Sequence, residues 1–409
     1  MWAQERLVGM DCVAETEAGR MRSAERPRVV HFAVHPPEDS RVFRRECRTL
    51  ADAGYDVTLI TRYSRLHRSP DGIYDGVRIK QVEPENTRLK EVTRTVWRLA
   101  KEVHSHDADI YHFHDPELLF VGLSLRWKGK TVIYDSHENA AEQISHARWI
   151  TPALRGIIKP VFRSIESFVA RRMNAIVAAR DDVAERFALL SQHVVTVGNY
   201  AQLSDFPMES DIARDDTKVA NFGGINPGTC TTAVIEALAL IPEQVRCKLI
   251  LGGLTFSPEL LESLKQKPGW KLVEFLGKVE HKHVFHHLRS AAVAMVLYSP
   301  EPNHYHIGSN RLFEAMAAET PVITSNFPAF KKLVEGIDCG LTVDPTQPAE
   351  IGKALEYLLT HPQQAAAMGR RGRQAFLEFF NWEKERNKLL DLYFELAGAP
   401  AVCAERLSA

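Results

Sequence analysis

The chain has 409 residues, with 51 Lys and Arg against 52 Asp and Glu and a formal net charge of -1. That length leaves room for two domains, and the balanced charge excludes a protein that grips nucleic acid with its whole surface, which needs a cationic excess. A hydrophobic fraction of 45% and a charged fraction of 25% are those of an ordinary globular protein.

Residues 1 to 26 are charged throughout and lack the apolar core and cleavage site of a secretory signal. They are expected to be a disordered extension, as is the tail 398–409. No apolar run approaches the roughly 20 residues that span a bilayer. Six cysteines (Cys12, Cys47, Cys230, Cys247, Cys339 and Cys403) lack metal or disulfide spacing and are expected as reduced thiols. The expected location is cytoplasmic, with peripheral contact at the inner membrane face left open.

From residue 29 onward, short β-branched runs alternate with helical stretches, the pattern of parallel sheets with crossover helices. The strands expected in the first half are 29–35, 56–62, 76–82, 109–115, 131–137, 175–180 and 193–200. A helix over 41–53 closes at Gly54, a favourable residue just past a helix end. A long helix over 153–173 is expected to carry basic residues on its outer face. The segment 203–218, with a proline, several acids and no apolar period, reads as an interdomain linker. A second strand series follows at 218–224, 247–253, 272–277, 291–299, 321–326 and 340–345. The last helix, from 382 to 396, is amphipathic.

Ligands of open α/β sheets bind beyond the carboxyl ends of the strands. The loop GGINPGTCT after 218–224 brings Gly223 and Gly224 to such an end, where glycine lets backbone approach a phosphate. It matches neither the P-loop nor the GxGxxG dinucleotide pattern, which argues against a kinase, an ATPase or a dehydrogenase. In SPEPNHYHIGSNRLFEAMAAETPVITSNFP (299–328) a helix is expected to open at Gly308, Ser309 and Asn310. Free amides there, with Arg311 beside them, suit a diphosphate. Glu314, one turn on, could accept hydrogen bonds from both hydroxyls of a ribose, or be an ordinary solvated glutamate.

Four blocks together resemble the retaining glycosyltransferases of family 4, over about residues 28–397. They are DSRVFRRECRTLADAGYDVTLIT (39–61), the pair DADIYHFHD (107–115) and TVIYDSHEN (131–139), GSNRLFEAMAAETPVITS (308–325), and CGLTVDP with NWEKERNKLLDLY (339–345 and 381–393). The resemblance implies an α/β GT-B fold: two Rossmann-like domains facing across a cleft, with a C-terminal helix crossing back to the N-terminal domain. Residues 27–202 would form the acceptor domain, 203–380 the nucleotide-sugar domain, and 381–397 the crossing helix. It implies retention of anomeric configuration, no metal and no cofactor, with a UDP- or GDP-linked sugar as substrate. The acceptor would be a glycan, a lipid-linked compound or a small molecule, and no nucleic acid would be bound. Glu314 then matches the ribose-binding glutamate, Gly308, Ser309 and Asn310 the diphosphate-binding helix start, and His137 the histidine beside the transferred sugar. Asp39 and Arg41 lie on the first loop of the N-terminal domain, facing the cleft.

The chain departs from the family pattern in three places, one of them two residues long. His306 stands where a first glutamate is usual, Thr229 and Cys230 where a basic residue precedes glycine, and Glu319 where glycine is usual. Arg311 and Lys278 are the substitutes expected to meet the leaving diphosphate, Lys278 otherwise being a surface lysine. His137 reads either as a donor to the sugar or phosphate or as a strand-end histidine satisfied by a carboxylate. His112 and His114 share a strand face and with a third ligand could hold a metal, but acceptor contact by His114 and Asp115 is the expectation. The HKHVFHH run (281–287) reads as a solvated helix face, and the short basic runs at 170–173 and 370–373 as solvated or touching lipid head groups. A catalytically silent binding protein of the same fold, or a nucleotide-sugar epimerase, are the alternatives.

Overall fold

A computed structural model describes residues 26–37, 39–63, 71–83, 85, 91–146, 150–206, 212–255, 257–306 and 310–398. The first half forms an eight-stranded sheet from β1 (Arg28–Phe32), β2 (Asp56–Arg62), β3 (Gly72–Tyr74), β4 (Val77–Val82), β5 (Ile110–Phe113), β6 (Thr131–Ser136), β7 (Ala175–Ala178) and β8 (Val194–Thr196). Their spatial order is β3-β4-β2-β1-β5-β6-β7-β8, parallel except for β3 against β4. The second half forms a six-stranded parallel sheet from β9 (Asp215–Phe222), β10 (Lys248–Gly252), β11 (Val273–Gly277), β12 (Ala291–Val296), β13 (Val322–Ser325) and β14 (Gly340–Val343), in the order β11-β10-β9-β12-β13-β14. Runs such as AAVAMV are buried at every position, because helices cover both faces of a parallel sheet. In each sheet the chain reverses its direction of growth beside the first strand, β1 or β9, where neighbouring loops splay apart and leave room for a ligand.

Departures from the expected elements have local causes. β1 ends at Phe32 because the Val34 amide donates to the Asp115 carboxylate at 2.6 Å, turning the chain out of the sheet. β12 ends at Val296, and further on the Ser299 amide donates to the Gly228 carbonyl of a neighbouring loop. β3 was not expected: three residues are too few for alternation to register, but Asp75 and Gly76 at φ +48° and +78° make the tight turn that pairs it with β4. The segment read as a linker shortens at its end, since Asp215–Phe222 is strand, and 207–211 lies outside the described residues. The first helix opens at Asp39, whose carboxylate accepts from the Arg41 and Val42 amides. It is wide-wound over Ser40–Cys47 and regular over Arg48–Asp52.

The long helix spans Pro152–Ala170, and its outer face carries exposed Arg163 as expected but is apolar as well as basic. Leu154, Ile157, Val161 and Phe168 are exposed there, while Arg155 and Lys159 are half-buried and turned to the Ile150 carbonyl and the Glu142 carboxylate. The closing helix, Trp382–Ala397, packs on the first sheet rather than the second, with Trp382, Leu389, Leu392 and Tyr393 buried among Val29, Leu50 and Val57. Its anchors are directional as well as apolar. Trp382 Nε1 donates to Thr49 Oγ1 at 2.9 Å, and the Glu385 carboxylate accepts from the Gly198 amide at 2.7 Å.

Replacing Trp382 with Ala removes a fully buried indole and leaves the Thr49 hydroxyl without its donor. Denaturant unfolding followed by circular dichroism is expected to lose about 3–5 kcal/mol of stability. A loss below about 1 kcal/mol would mean that the closing helix is not held as described.

Candidate functional site

Between the two sheets lies a groove of about 730 Å³. One wall is built from loops at the carboxyl ends of β1, β5, β6 and β7, which present His35, Asp39, His114, Asp115, His137 and Arg180. The other wall presents Asn310, Phe313, Leu333 and Phe380.

The first wall rests on one buried ion pair. Arg41 donates through Nε and Nη2 to both oxygens of Asp135, at 3.0 and 3.1 Å, and through Nη1 to the Val197 carbonyl at 2.8 Å. A second carboxylate, Glu46, lies 3.0 Å from the same Nε with no exposed surface. Burial pushes the Glu46 carboxyl well up, with the Asp135 charge adding to it, so Glu46 keeps its proton. At Asp135 burial pushes the same way, but Arg41 and the neighbouring histidines outweigh it and hold the carboxyl well below its usual range. The pair of acids therefore carries one charge, and Arg41 matches it.

Burial lowers the imidazoles of His31, His112 and His114, so these rings are neutral. Their tautomers follow from the ionised Asp135, which can only accept. His114 Nδ1 donates to Asp135 at 3.1 Å, and its Nε2 accepts from His31 Nδ1 at 2.8 Å. His31 Nε2 accepts from the Tyr393 hydroxyl at 3.0 Å, and that oxygen accepts from His112 Nδ1 at 2.9 Å. A one-way donor chain thus runs from His112 through Tyr393 of the closing helix to Asp135. His137 Nε2 also donates to Asp135, at 3.1 Å, which leaves Nδ1 for the groove. His31, Glu46, His112 and His114, and likewise His114, Asp135 and His137, are close enough to hold a metal ion. Their ring nitrogens, His112 Nε2 and His137 Nδ1 apart, are engaged in the hydrogen bonds just given, and Arg41 already supplies the countercharge.

At the groove surface His35 Nε2 lies 2.8 Å from Asp115. That hydrogen bond is the main reason its imidazole is raised to about 9, with burial opposing. His35 is a cation at neutral pH, its ring stacked near that of His137 with centroids 6.3 Å apart.

In the second domain the ends of β9, β10 and β11 form a glycine cradle. Gly223 N donates to the Gly252 carbonyl at 3.0 Å, and Gly253 N to the Gly277 carbonyl at 2.7 Å. Gly253 has φ +156°, and a Cβ there would lie 1.7 Å from the Gly223 oxygen, so no side chain fits. Arg311 lies against Gly223, donating through Nη2 to Asn221 Oδ1 at 2.8 Å and to the Met295 carbonyl at 2.9 Å. Its Nε and Nη1 are buried with no acceptor among the described residues. Burial pushes the Cys230 thiol up to about 11, and Arg311 is near enough to pull the other way. Arg311 therefore occupies the neighbourhood of Thr229 and Cys230, where the family cation was missed. Thr229 cannot serve there: its hydroxyl donates to backbone carbonyls of Gly224 and Asn226. Glu319 takes the left-handed backbone that glycine would, at φ +58°, and turns its carboxylate to Arg289, 3.5 Å away. His306 faces Asp182 of the first domain at 3.7 Å.

Of the residues expected at the site, Asp39, Arg41, His114, Asp115, His137 and Asn310 line the groove. Arg41 reaches the groove, but its guanidinium is taken up by Asp135, Glu46 and Val197, so it holds the wall rather than meeting a ligand. Gly223, Gly224, Arg311, Glu314 and Lys278 do not line it. Lys278 is exposed, just beyond β11. Glu314 borders a small recess shared with Arg311, Ala220 and Phe222, and is near enough to Arg45 of the first domain to offset part of the lowering that burial imposes on that guanidinium. Gly308 and Ser309 lie outside the described residues. His287 of the HKHVFHH run packs its ring on Phe222, centroids 5.4 Å apart, rather than facing solvent alone. His35, His31, Glu46 and Tyr393 escaped the sequence reading. The available signal was register: His31 pairs with His112 across β1 and β5.

Two family models match the chain, "Glycosyltransferase Family 4" over residues 40–199 and "Glycosyl transferases group 1" over 209–375. A glycogen synthase of Mycobacterium tuberculosis is 23% identical over 380 residues, covering 84% of this chain and 87% of that protein. Among solved structures, sucrose-phosphate synthase of Thermosynechococcus elongatus aligns with a TM-score of 0.75 at 20% identity, covering 91% of this chain and 99% of the other. The Anabaena protein HepE in complex with UDP-glucose aligns with a TM-score of 0.67 at 14% identity, covering 90% and 99%.

The His35–Asp115 pair has a pH signature. The folded state binds the His35 proton more tightly than the unfolded chain, so the pair adds stability that is complete below about 6.5 and lost as pH rises through about 9. NMR titration of the imidazole is expected to give a midpoint near 9, falling toward 6.5 in Asp115→Asn. A midpoint near 6.5 in the unaltered protein contradicts the pairing.

Proposed function

Because the chain belongs to the family 4 glycosyltransferases and has their GT-B fold, we propose that it moves a sugar, with retention, from a UDP- or GDP-linked donor on the second domain to a hydroxyl of an acceptor in the groove. The acceptor is a glycan, a glycolipid or a natural product. The observation that carries this reading is Arg311, a half-buried cation at the glycine cradle whose buried Nε and Nη1 have no acceptor among the described residues. Unsatisfied buried donors are costly, and an anion placed at the Gly223 loop relieves that cost. A nucleoside diphosphate is such an anion.

The chemistry asks for little else. Sugar transfer passes through an oxocarbenium-like state while negative charge grows on the departing diphosphate, and a positioned guanidinium lowers the energy of that charge. In a same-face reaction the departing phosphate oxygen takes the acceptor proton, so no carboxylate base is needed. His137, fixed by Asp135, offers Nδ1 to the hydroxyls of the sugar. HepE, whose structure holds UDP-glucose, supports a nucleotide sugar as donor. Arg311 in the place of the missing cation, and Glu319 paired to Arg289, favour transfer over a silent binding role.

Calorimetric titration with UDP, GDP and the corresponding nucleosides tests the assignment. Arg311→Ala is expected to weaken diphosphate binding by about tenfold or more, a charge-assisted hydrogen bond's worth, and to leave nucleoside binding unchanged. Arg311→Lys should recover part of the loss. Equal diphosphate affinity in Arg311→Ala refutes the role of Arg311. Absence of donor hydrolysis or transfer across a panel of UDP- and GDP-sugars with acceptors refutes the transferase reading.

A further inference from the structure

The helices covering one face of the first sheet carry an unusual outer surface. Val96–Ser105, Leu119–Trp127 and Pro152–Ala170 lie side by side in that layer and share one core, in which Leu99, Leu123 and Val169 are buried together. His104 Nε2 meets Ser124 Oγ at 3.0 Å between the first two, and Arg126 Nε donates to the Arg172 carbonyl at 2.8 Å just beyond the third. Outward from this layer stand Trp97, Phe120, Trp127, Ile157, Val161 and Phe168. Trp127 is 73% exposed and Phe120 and Ile157 are each 64% exposed. Ordinary surfaces scatter such residues singly, whereas a contiguous group marks an interaction site.

Charge identifies the partner. The segments 96–105, 119–130 and 152–172 hold ten Lys and Arg against two Glu, in a chain that is balanced as a whole. One of those two, Glu166, is buried and paired with Arg186. Glu85, Asp107 and Glu142 reach in from neighbouring elements, each pairing with one cation of the layer, and leave the excess in place. The cations are interleaved with the apolar side chains rather than confined to a rim. Arg172 lies over the Phe168 ring at 3.5 Å and Lys101 over Trp97 at 6.0 Å. Protein interfaces deplete lysine from their cores, while a bilayer surface accepts aromatic rings at head-group level with cations snorkelling among them.

We propose that this helix layer docks on the surface of an anionic lipid bilayer. The contact is peripheral, since no described helix is long and apolar enough to cross a membrane. Trp127, Ile157 and Phe168 enter the head-group boundary, and Lys128, Arg163 and Arg171, all exposed, face lipid phosphates. Val96 and Glu117 line the groove and are close in sequence to Trp97 and Phe120, so the docked face ends at the groove rim. An acceptor carried by a membrane lipid would meet the groove there. That last consequence rests on the transferase reading; the docking itself does not.

Flotation of the full chain with phosphatidylcholine vesicles, with and without phosphatidylglycerol at about one part in four, tests the docking. The protein is expected to float with the anionic vesicles and remain behind with the neutral ones. The triple charge reversal Lys128→Glu, Arg163→Glu, Arg171→Glu, at exposed positions that leave the core intact, should weaken flotation by about tenfold or more. Trp127→Ser with Ile157→Ser should also weaken it, and both variants should keep the unaltered protein's UDP affinity and melting temperature. The proposal is overturned if the unaltered chain ignores anionic vesicles, or if both variants float as it does. It is also overturned if sedimentation finds a dimer that the same variants dissolve, since the face would then meet a second copy instead. Loss of transfer without loss of flotation counts against the transferase reading alone.

Discussion

The buried contact of Arg41 with Asp135 is the constraint on which the first wall of the groove depends. Two carboxylates, Asp135 and Glu46, share a space with no exposed surface, and one guanidinium lies between them. Only one of the two can be charged there, and Arg41 decides which: it holds Asp135 ionised by a bidentate bond and leaves Glu46 protonated. An ionised Asp135 then fixes the tautomers of His114 and His137, and through His114 those of His31 and His112. A buried ion pair is seldom a large source of stability. Here it sets the orientation of a wall made largely of imidazoles, each of which could otherwise present either nitrogen.

The network also ties the chain's end to its beginning. Tyr393 belongs to the closing helix, yet its hydroxyl links His31 of β1 to His112 of β5. Trp382 and Glu385 anchor the same helix to Thr49 and Gly198. A change in how that helix packs would therefore be felt by the histidines behind His137. The second domain contributes different chemistry, with backbone brought close by Gly223 and Gly253 and a cation from Arg311. In the proposed transfer the first domain orients the sugar hydroxyls and the second receives the anionic charge.

Much of this was legible in the chain. Two series of β-branched runs, separated by an acidic, proline-containing stretch, were enough for two parallel sheets, because strands buried on both faces carry an uninterrupted apolar signal. The groove residues His114 and Asp115 were found at a strand end, where ligands of such sheets bind, and His137 through the family resemblance. What was not legible depended on tertiary partners. The charge of Arg41 is visible in the sequence, but its burial between Asp135 and Glu46 is not. His35 was passed over because its cationic state comes from Asp115, 80 positions on. Glu319 looked like an obstacle until Arg289 was seen beside it. The apolar outer face of Pro152–Ala170 was hidden by its arginines and lysine, since periodicity says which residues share a face and not which face the neighbours cover.

The central claim is that the second domain handles a diphosphate, through Arg311 at the Gly223 loop, while the first domain's wall of the groove handles a sugar, through His137. A crystal structure of the protein with a non-hydrolysable UDP- or GDP-sugar analogue tests it most directly. The account predicts the pyrophosphate at the Gly223 loop with its oxygens accepting from Arg311, and the sugar ring directed toward His137 Nδ1. A pyrophosphate lodged against residues of the first domain, with Arg311 still without an acceptor, would contradict it.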